Sequence, residues 1–222
     1  MTFSTGRAET IPPKIRAVIL DYGEVLCHLP APEDIARMAR IFQMDPQRFF
    51  STYIESRLPY DKGDLLPGEY WQKFAEQAGV EIDLPTIDRL RQWDLELWST
   101  VNDAMVHWLQ KIHSAGYKTA ILSNMPSDMI VHVRQKFAWL KHFDHHIFSA
   151  DVRSVKPEPE IYRHCIDALG VQPGDALFVD DREINLEQAR ALGIITIRFQ
   201  SLERFRADLQ ALGFPILPEL AA

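Results

Sequence analysis

Short runs of apolar residues alternate along much of the chain with segments whose apolar residues recur at helical spacing. The first run, residues 17–20, is continuous and bounded by turn residues, which is typical of a parallel strand buried between helices. Four further runs lie at residues 118–122, 146–150, 176–179 and 194–199. Because strands that alternate with helices imply right-handed crossovers, this pattern predicts an α/β fold with three layers around a parallel five-stranded sheet.

The pattern between the first and second strands is different. Residues 30–100 show no convincing strand, and a proline-marked linker at residues 30–32 leaves the sheet. Apolar residues at helical spacing predict helical faces, and a turn-rich connector covers residues 60–68. The helical faces lie at residues 35–42, 49–54, 70–75 and 84–97. We therefore expect an α-helical insertion of residues 30–100 in a core made of residues 1–29 and 101–222.

Polar side chains follow three of the predicted strands and occupy one loop. They are Asp21, Ser123 with Asn124, Lys156, and Asp180 with Asp181. Taken singly, each is explained at least as well by a turn, a helix cap or a solvated lysine. Parallel strands, however, gather their carboxyl ends at one side of the sheet, where ligands bind. The whole set is therefore better explained by a functional site.

The residue types at this predicted site match one kind of chemistry. Two separated carboxylates beside a lysine suit a hard cation together with a phosphate, and Mg²⁺ prefers one or two carboxylates plus phosphate and water. Asp21 could act both as a metal ligand and as a nucleophile that forms an aspartyl-phosphate. Ser123, the main-chain N–H groups near Asn124, and Lys156 would hold the phosphoryl oxygens during transfer.

With these residues in view, the chain resembles the haloacid dehalogenase superfamily of hydrolases, most of which are phosphatases. Four segments resemble the four motifs of that family in order. They are Asp21–Val25, Ile121–Asn124, Lys156–Tyr162, and Val179–Asp181 with Asn185. The resemblance covers about residues 15–200. It implies a Rossmann-like core and identifies the insertion at residues 30–100 as a helical cap that closes over the substrate.

The resemblance also implies a role for each matching residue. Asp21 is the nucleophile, and Tyr22, Gly23, Ser123, Asn124 and Lys156 bind the phosphate. Mg²⁺ is held by Asp21, Asp181 and the main-chain carbonyl of Gly23. Asp180 and Asn185 are expected to contact these ligands rather than the ion. The paired acids of the fourth motif are most similar to a branch that includes sugar-phosphate phosphatases and the N-terminal phosphatase domain of soluble epoxide hydrolase. The resemblance therefore implies a small phosphorylated metabolite, similar to a sugar phosphate, as the substrate.

One position departs from the family pattern. Most phosphatases of the family carry a second aspartate, the general acid and base, two residues after the nucleophile, and this chain has Gly23 there. Loss of such a group typically costs roughly 10²–10⁴-fold in rate. Glu24 is expected to point elsewhere, and His28 is expected to be a loop residue. Two alternatives therefore stay open: a metal-independent dehalogenase, and a catalytically weak phosphate-binding or regulatory protein.

Composition narrows the class of partner. The 222 residues carry a net charge of −7 without a basic block, which argues against a nucleic-acid or anionic-membrane partner. The apolar runs are too short to span a membrane. Cys27 and Cys165 are expected to be packed thiols in a reducing cytosol, so a cytoplasmic location is expected. Residues 1–13 lack the apolar segment of a signal peptide and are expected to form a loose tail.

Overall fold

A computed structural model describes residues 14–219, and the expected N-terminal tail lies outside them. The described residues contain one sheet of five parallel strands in the order β3-β2-β1-β4-β5. The strands are β1 (Ala17–Leu20), β2 (Lys118–Ser123), β3 (His145–Phe148), β4 (Ala176–Asp180) and β5 (Ile195–Arg198). The predicted parallel five-stranded α/β core is confirmed. β1 lies in the centre of the sheet, which places the residue after it, Asp21, between the ends of two neighbouring strands.

Two layers of helices cover the sheet because successive strand residues face opposite sides. Val18 and Leu20 pack in one hydrophobic cluster, and Ala17 and Ile19 pack in another. The core helices are α6 (Asp103–Ser114), α7 (Ser127–Lys136), α8 (Ser149–Val152), α9 (Pro159–Leu169), α10 (Glu183–Ala191) and α11 (Leu202–Ala211). Helices α6, α7 and α11 cover one face, and α9 and α10 cover the other. Short 3₁₀ helices occupy Ala138–His142 and Pro173–Asp175.

The insertion folds as a helical cap with an aromatic core of its own. Its helices are α1 (Pro32–Ile41), α2 (Pro46–Ser56), α3 (Leu58–Asp61), α4 (Pro67–Ala78) and α5 (Leu84–Leu97). Each has proline in its first turn, where the missing N–H leaves no hydrogen bond unmade. Asp45 and Asp83 cap α2 and α5 by accepting main-chain N–H hydrogen bonds. The exact boundaries of cap and core, 30–100 against 1–29 and 101–222, stay a prediction.

Two predicted elements need correction. Residues 60–68 are not all connector, because Tyr60 and Asp61 belong to α3. The ring of Tyr60 stacks on Tyr70 at a centroid distance of 4.5 Å, and this distant contact fixes the extra turn. The third strand ends at Phe148 rather than at residue 150, because its partner β2 ends in the same register. Ser149 then begins α8.

The cap joins the core at two adjacent chain crossings. Cys27 and Val101 form an antiparallel bridge, and His28 N–H donates to the carbonyl of Thr100 at 2.8 Å. Side chains also join cap and core away from these crossings: Lys62 pairs with Glu158 at 2.6 Å, and the hydroxyl of Tyr60 donates to Asp128 at 2.8 Å. The cap is therefore fixed to the core both at its connections and at the loop before α9.

The structure also bears on the two cysteines and on the length of the apolar segments. Cys27 and Cys165 are free and buried, as expected of packed thiols. Within residues 14–219, no helix has the length and apolar character needed to cross a membrane.

The cap contains a buried group of charges. Arg57 donates from Nη1 to Asp94 at 3.0 Å and from Nε to Asp61 at 3.3 Å. Nη1 also donates to the hydroxyl of Tyr53, which in turn donates to Asp94. Burial and the repulsion of Asp94 raise the pKa of Asp61 to about 7 despite the attraction of Arg57. These contacts tie α2, α3 and α5 together in the wall of the cap.

We expect Asp94→Ala to lower the free energy of unfolding by about 3 kcal/mol. Breaking a buried ion pair leaves an uncompensated charge, and the loss falls at the low end of the usual range because Asp61 still contacts Arg57. Urea unfolding measures the change. Asp88→Ala is the matched control on α5, since Asp88 pairs with Arg91 while 73% exposed. That pair should contribute less than about 1 kcal/mol. Equal losses in the two variants would contradict the assignment.

Candidate active site

The carboxyl ends of three adjacent strands carry the predicted site residues. Leu20 is in register with Ile121 of β2 and Val179 of β4, so the residues that follow these three positions meet at one level. The structure thus brings together the groups expected from the sequence. They are Asp21, Tyr22 and Gly23 after β1, Ser123 and Asn124 at the end of β2, Asp180, Asp181 and Asn185 at and after β4, and Lys156 from the loop before α9.

Lys156 forms the centre of the site. Its Nζ lies 2.8 Å from Oδ1 of Asp21 and 2.7 Å from Oδ2 of Asp180. All three residues are buried, with Lys156 only 3% exposed. Asp180 also accepts hydrogen bonds from the Asn185 amide at 3.0 Å and from the main-chain N–H of Arg182 at 2.8 Å. Asp180 is therefore fixed by hydrogen bonds from three residues and in turn orients the lysine.

The side chain of Asn124 positions this lysine. Its Nδ2 donates to the main-chain carbonyl of Lys156 at 2.9 Å, and its Oδ1 accepts from the main-chain N–H of Lys156 at 2.7 Å. Both the nitrogen and the oxygen of the carboxamide are thus already hydrogen-bonded to the main chain of Lys156.

The polar groups of Tyr22 are also hydrogen-bonded within the protein. Its hydroxyl donates to the carbonyl of Trp98, and its N–H donates to Oδ1 of Asp21 at 2.7 Å. Contacts from Asn124 and Tyr22 to a ligand would therefore come from other atoms of these residues.

Burial and mutual repulsion shift the ionisation of the carboxylates. Burial, together with Asp180 and Asp181, raises the pKa of Asp21 to about 7 against the opposing attraction of Lys156. Burial and the nearby Asp180 and Glu24 raise the pKa of Asp181 to about 6. Burial acts to lower the pKa of Lys156, but Asp180 and Asp21 outweigh it and raise that pKa. The site therefore has a protonated lysine and an excess of acidic groups.

The donor set fits a hard divalent cation. Carboxylate oxygens of Asp21, Asp180 and Asp181 lie within 4.8 Å of one another. Three carboxyl groups face one lysine, so full ionisation leaves two negative charges to be balanced. The Nδ2 bonds to Asp180 fix the amide orientation of Asn185, and its buried Oδ1 has no protein partner within residues 14–219. Mg²⁺ with its bound water prefers such oxygen ligands.

A cavity of about 570 Å³ opens above these groups, between core and cap. Asp21, Ser123, Lys156 and Asp181 line its floor. Glu24 and His28 are two residues near Asp21 that were not expected to belong to the site. The expectation that Glu24 lies elsewhere is wrong, since Glu24 has a left-handed φ of 56° and lines the cavity. His28 is exposed, in keeping with a loop histidine, and is not among the lining residues.

Several cap residues at the cavity were not anticipated as site residues, and Arg57, Asp61 and Trp98 are the polar or aromatic ones considered first. Arg57 lies between α2 and α3, and Asp61 belongs to α3. An arginine and an aspartate four residues apart on a helical segment are a sequence signal for an ion pair. The helical pattern predicts Trp98 as a core residue of the bundle. It is instead partly buried and also lines the cavity.

The names of the curated relatives refer to several different activities. The chain is 27% identical over 214 residues to acyl-CoA dehydrogenase family member 10 of Mus musculus, covering 90% of this chain and 19% of that protein. It is 31% identical over 124 residues to bifunctional epoxide hydrolase 2 of Rattus norvegicus, covering 54% of this chain and 22% of that protein. It is 28% identical over 166 residues to (S)-2-haloacid dehalogenase 1 of Pseudomonas sp. (strain CBS-3), and the match covers 69% of this chain and 71% of that protein. The chain thus spans about a fifth of the length of the first two relatives.

A solved structure shows the same fold. It is a HAD family enzyme of Bacteroides thetaiotaomicron in complex with magnesium and inorganic phosphate, which superposes with a TM-score of 0.65 at 23% identity and covers 84% of this chain and 94% of that one. The sequence profile of the haloacid dehalogenase-like hydrolases matches residues 13–193, which include every residue of the site described above. With that match and this fold, the chain belongs to the haloacid dehalogenase-like hydrolases.

Proposed function

We propose that the protein is a magnesium-dependent phosphatase that hydrolyses a small phosphorylated metabolite through an aspartyl-phosphate on Asp21. One observation carries the proposal: a buried lysine bridges Asp21 and Asp180 beside a third carboxylate, Asp181. A dehalogenase also uses an aspartate nucleophile, but it needs no metal and therefore no such surplus of acidic groups. Magnesium and phosphate together are the ligands of the structural neighbour from Bacteroides thetaiotaomicron.

The chemistry follows from the two oxygens of Asp21. Oδ1 accepts from the Tyr22 N–H and contacts Lys156, which fixes the carboxylate and leaves Oδ2 for attack on phosphorus. An Oδ2–P bond forms as the bond from phosphorus to the ester oxygen breaks, and that oxygen leaves as an alcohol after taking up a proton. Water then attacks phosphorus, which restores the carboxylate and releases inorganic phosphate.

Lys156 and Ser123 stabilise the charge that develops on the phosphoryl oxygens. Lys156 is held in place before the substrate arrives by Asn124 and Asp180, so little reorganisation is needed during the reaction. Asp21, Asp181 and the main-chain carbonyl of Gly23 would hold Mg²⁺. This carbonyl accepts one hydrogen bond, from Val25 N–H at 2.7 Å, and keeps a second lone pair. When bound, the ion neutralises charge on the phosphoryl group and the carboxylates.

We expect Asp181→Asn to lower magnesium-dependent phosphate release by roughly 100-fold or more, because it removes a preorganised charge from the site. A panel of phosphate monoesters, assayed for phosphate release with Mg²⁺ and with chelator, gives the measurement and also tests the proposed function. Asp151→Asn is the matched control, since Asp151 is exposed and pairs with Arg134 at 2.9 Å. Undiminished turnover by Asp181→Asn, or full wild-type activity in chelator, would exclude the mechanism.

Magnesium should stabilise the protein more at pH 8 than at pH 5. The pKa values of Asp21 and Asp181 are raised to about 7 and about 6, so the folded state binds more protons than the unfolded state between about pH 4 and pH 7. In chelator, this contribution to stability is lost as the pH rises through that window. Mg²⁺ binds the ionised carboxylates, so its increment in Tm should grow with pH. Calorimetry checks both trends, and Asp181→Asn should remove most of the pH dependence of the increment.

Gly23→Asp should increase turnover of alkyl phosphates more than that of aryl phosphates. An alkoxide leaving group needs a proton far more than a phenolate does, and a positioned acid typically contributes roughly 10²–10⁴-fold. The backbone of Gly23 has no positive φ, and a Cβ there would lie 3.9 Å from Cζ3 of Trp98, so aspartate can be accommodated. Steady-state kinetics on ethyl and phenyl phosphate give the comparison, with the Tm as a control for folding.

No preferential gain in a folded, magnesium-binding Gly23→Asp variant would show that another group already transfers the proton. Two carboxyl groups of the cavity, Glu24 and Asp61, would then be the first to replace.

A further inference from the structure

The cavity has a polar floor at Asp21 and Lys156, and its walls combine charged groups with large apolar and aromatic side chains. The charged residues of the walls are Glu55, Arg57, Asp61 and Arg182. The large apolar and aromatic residues are Phe50, Ile54, Leu58, Trp98, Met129 and Ile184. Cap and core both contribute, because Ile54 and Leu58 belong to α2 and α3 whereas Met129 and Ile184 belong to α7 and α10. Whatever is bound at the floor therefore extends between two apolar surfaces.

Three of these side chains are unusually exposed for large hydrophobic residues. Ile54 is 36% exposed, Leu58 51% and Ile184 52%. Exposed apolar residues scattered singly over a surface are ordinary, but a contiguous group at a cavity indicates a binding site. A molecule in the cavity would remove this surface from water, at a gain of about 25 cal/mol per Å². These side chains thus favour an apolar occupant.

The charged residues of the cap wall are poorly placed to bind a sugar. Nε and Nη1 of Arg57 are engaged by Asp61, Asp94 and Tyr53 within the cap. The carboxylate of Asp61 contacts the same guanidinium. A site that selects a polyhydroxylated group needs several free donors and acceptors, because unpaired hydroxyl groups lose their hydration on binding. The remaining charged cap residue at the cavity, Glu55, is exposed and offers only hydrogen-bond acceptors. One such carboxylate does not supply the set of donors and acceptors that a sugar requires.

We propose that the preferred substrates are phosphate monoesters whose organic part is apolar, an alkyl chain or an aromatic ring, rather than sugar phosphates. This inference rests on the proposed phosphatase function and replaces the expectation of a sugar phosphate-like substrate. The phosphoryl group lies at Asp21 and Lys156, and the organic part lies between Ile54 and Leu58 of the cap and Ile184 of the core. A cavity of about 570 Å³ has room for both parts of such a monoester.

A homologous series of n-alkyl phosphates from ethyl to octyl tests the inference. The leaving alcohols have nearly equal acidity, so a change in kcat/KM reports binding of the chain and not the ease of bond breaking. Each added methylene should raise kcat/KM by about fourfold until the cavity is filled, the factor that corresponds to about 0.8 kcal/mol per buried CH₂. Glucose 6-phosphate, also a primary alkyl ester, should be a poorer substrate than hexyl phosphate.

Substitutions identify where the chain binds. Ile54→Ser and Leu58→Ser from the cap, and Ile184→Ser from the core, should each reduce the octyl-to-ethyl ratio of kcat/KM by about threefold to tenfold. Leu84→Ser is the matched control, because Leu84 is a leucine 77% exposed on α5 that does not line the cavity. Circular dichroism confirms folding, and the core variant keeps the test valid if the cap variants unfold.

The outcomes separate this inference from the proposed function. Two results would overturn the inference without affecting the proposed phosphatase function. One is a kcat/KM that does not depend on chain length, and the other is an increase of kcat/KM with chain length that is unchanged in all three variants. Absence of release from every monoester would overturn the proposed function. In that case, calorimetry with n-alkylphosphonates still measures whether affinity rises with chain length, and a flat series there would overturn the apolar site as well.

Discussion

The buried ammonium of Lys156 is the interaction on which the rest of the site depends. A lysine that is 3% exposed would be very costly if it were unpaired, and its contacts with Asp21 and Asp180 make burial tolerable. The same contacts fix both carboxylates, so the lysine orders the proposed nucleophile, Asp21. Because Asp181 adds a third carboxyl group, one lysine cannot balance the charge. The unbalanced negative charge is what makes a divalent cation part of the proposed mechanism.

The parallel sheet explains why these charges can meet. Parallel strands buried on both faces must be almost wholly apolar, so polar side chains concentrate where the strands end. β1 is buried throughout, and Asp21 follows its last residue directly. This part of the site could be predicted from the sequence, because a short apolar run that ends on a carboxylate is a local signal. The strand order seen in the structure then puts β1 at the centre of the sheet and places Asp21 between β2 and β4.

Other features could not be predicted because they depend on contacts distant in the sequence or on one unusual torsion angle. The Asn124 side chain binds the main chain of Lys156, 32 residues away, and residue type alone does not distinguish that role from phosphate binding. Glu24 reaches the cavity wall in a left-handed conformation that non-glycine residues seldom adopt. The end of β3 depends on where β2 stops. Local patterns thus predicted the elements, while tertiary contacts decided the orientation of side chains at the site.

The cap and the reaction centre are joined through one tryptophan. Trp98 accepts a hydrogen bond at its carbonyl from Tyr22, the residue next to Asp21, and its indole N–H donates to Tyr53 at 2.8 Å. Tyr53 in turn belongs to the buried charge group of Arg57 and Asp94. The cap helices that carry the apolar wall are therefore connected by hydrogen bonds to the segment that carries Asp21. In the proposed function, the core residues perform the chemistry, and the cap residues determine which organic group is held against them.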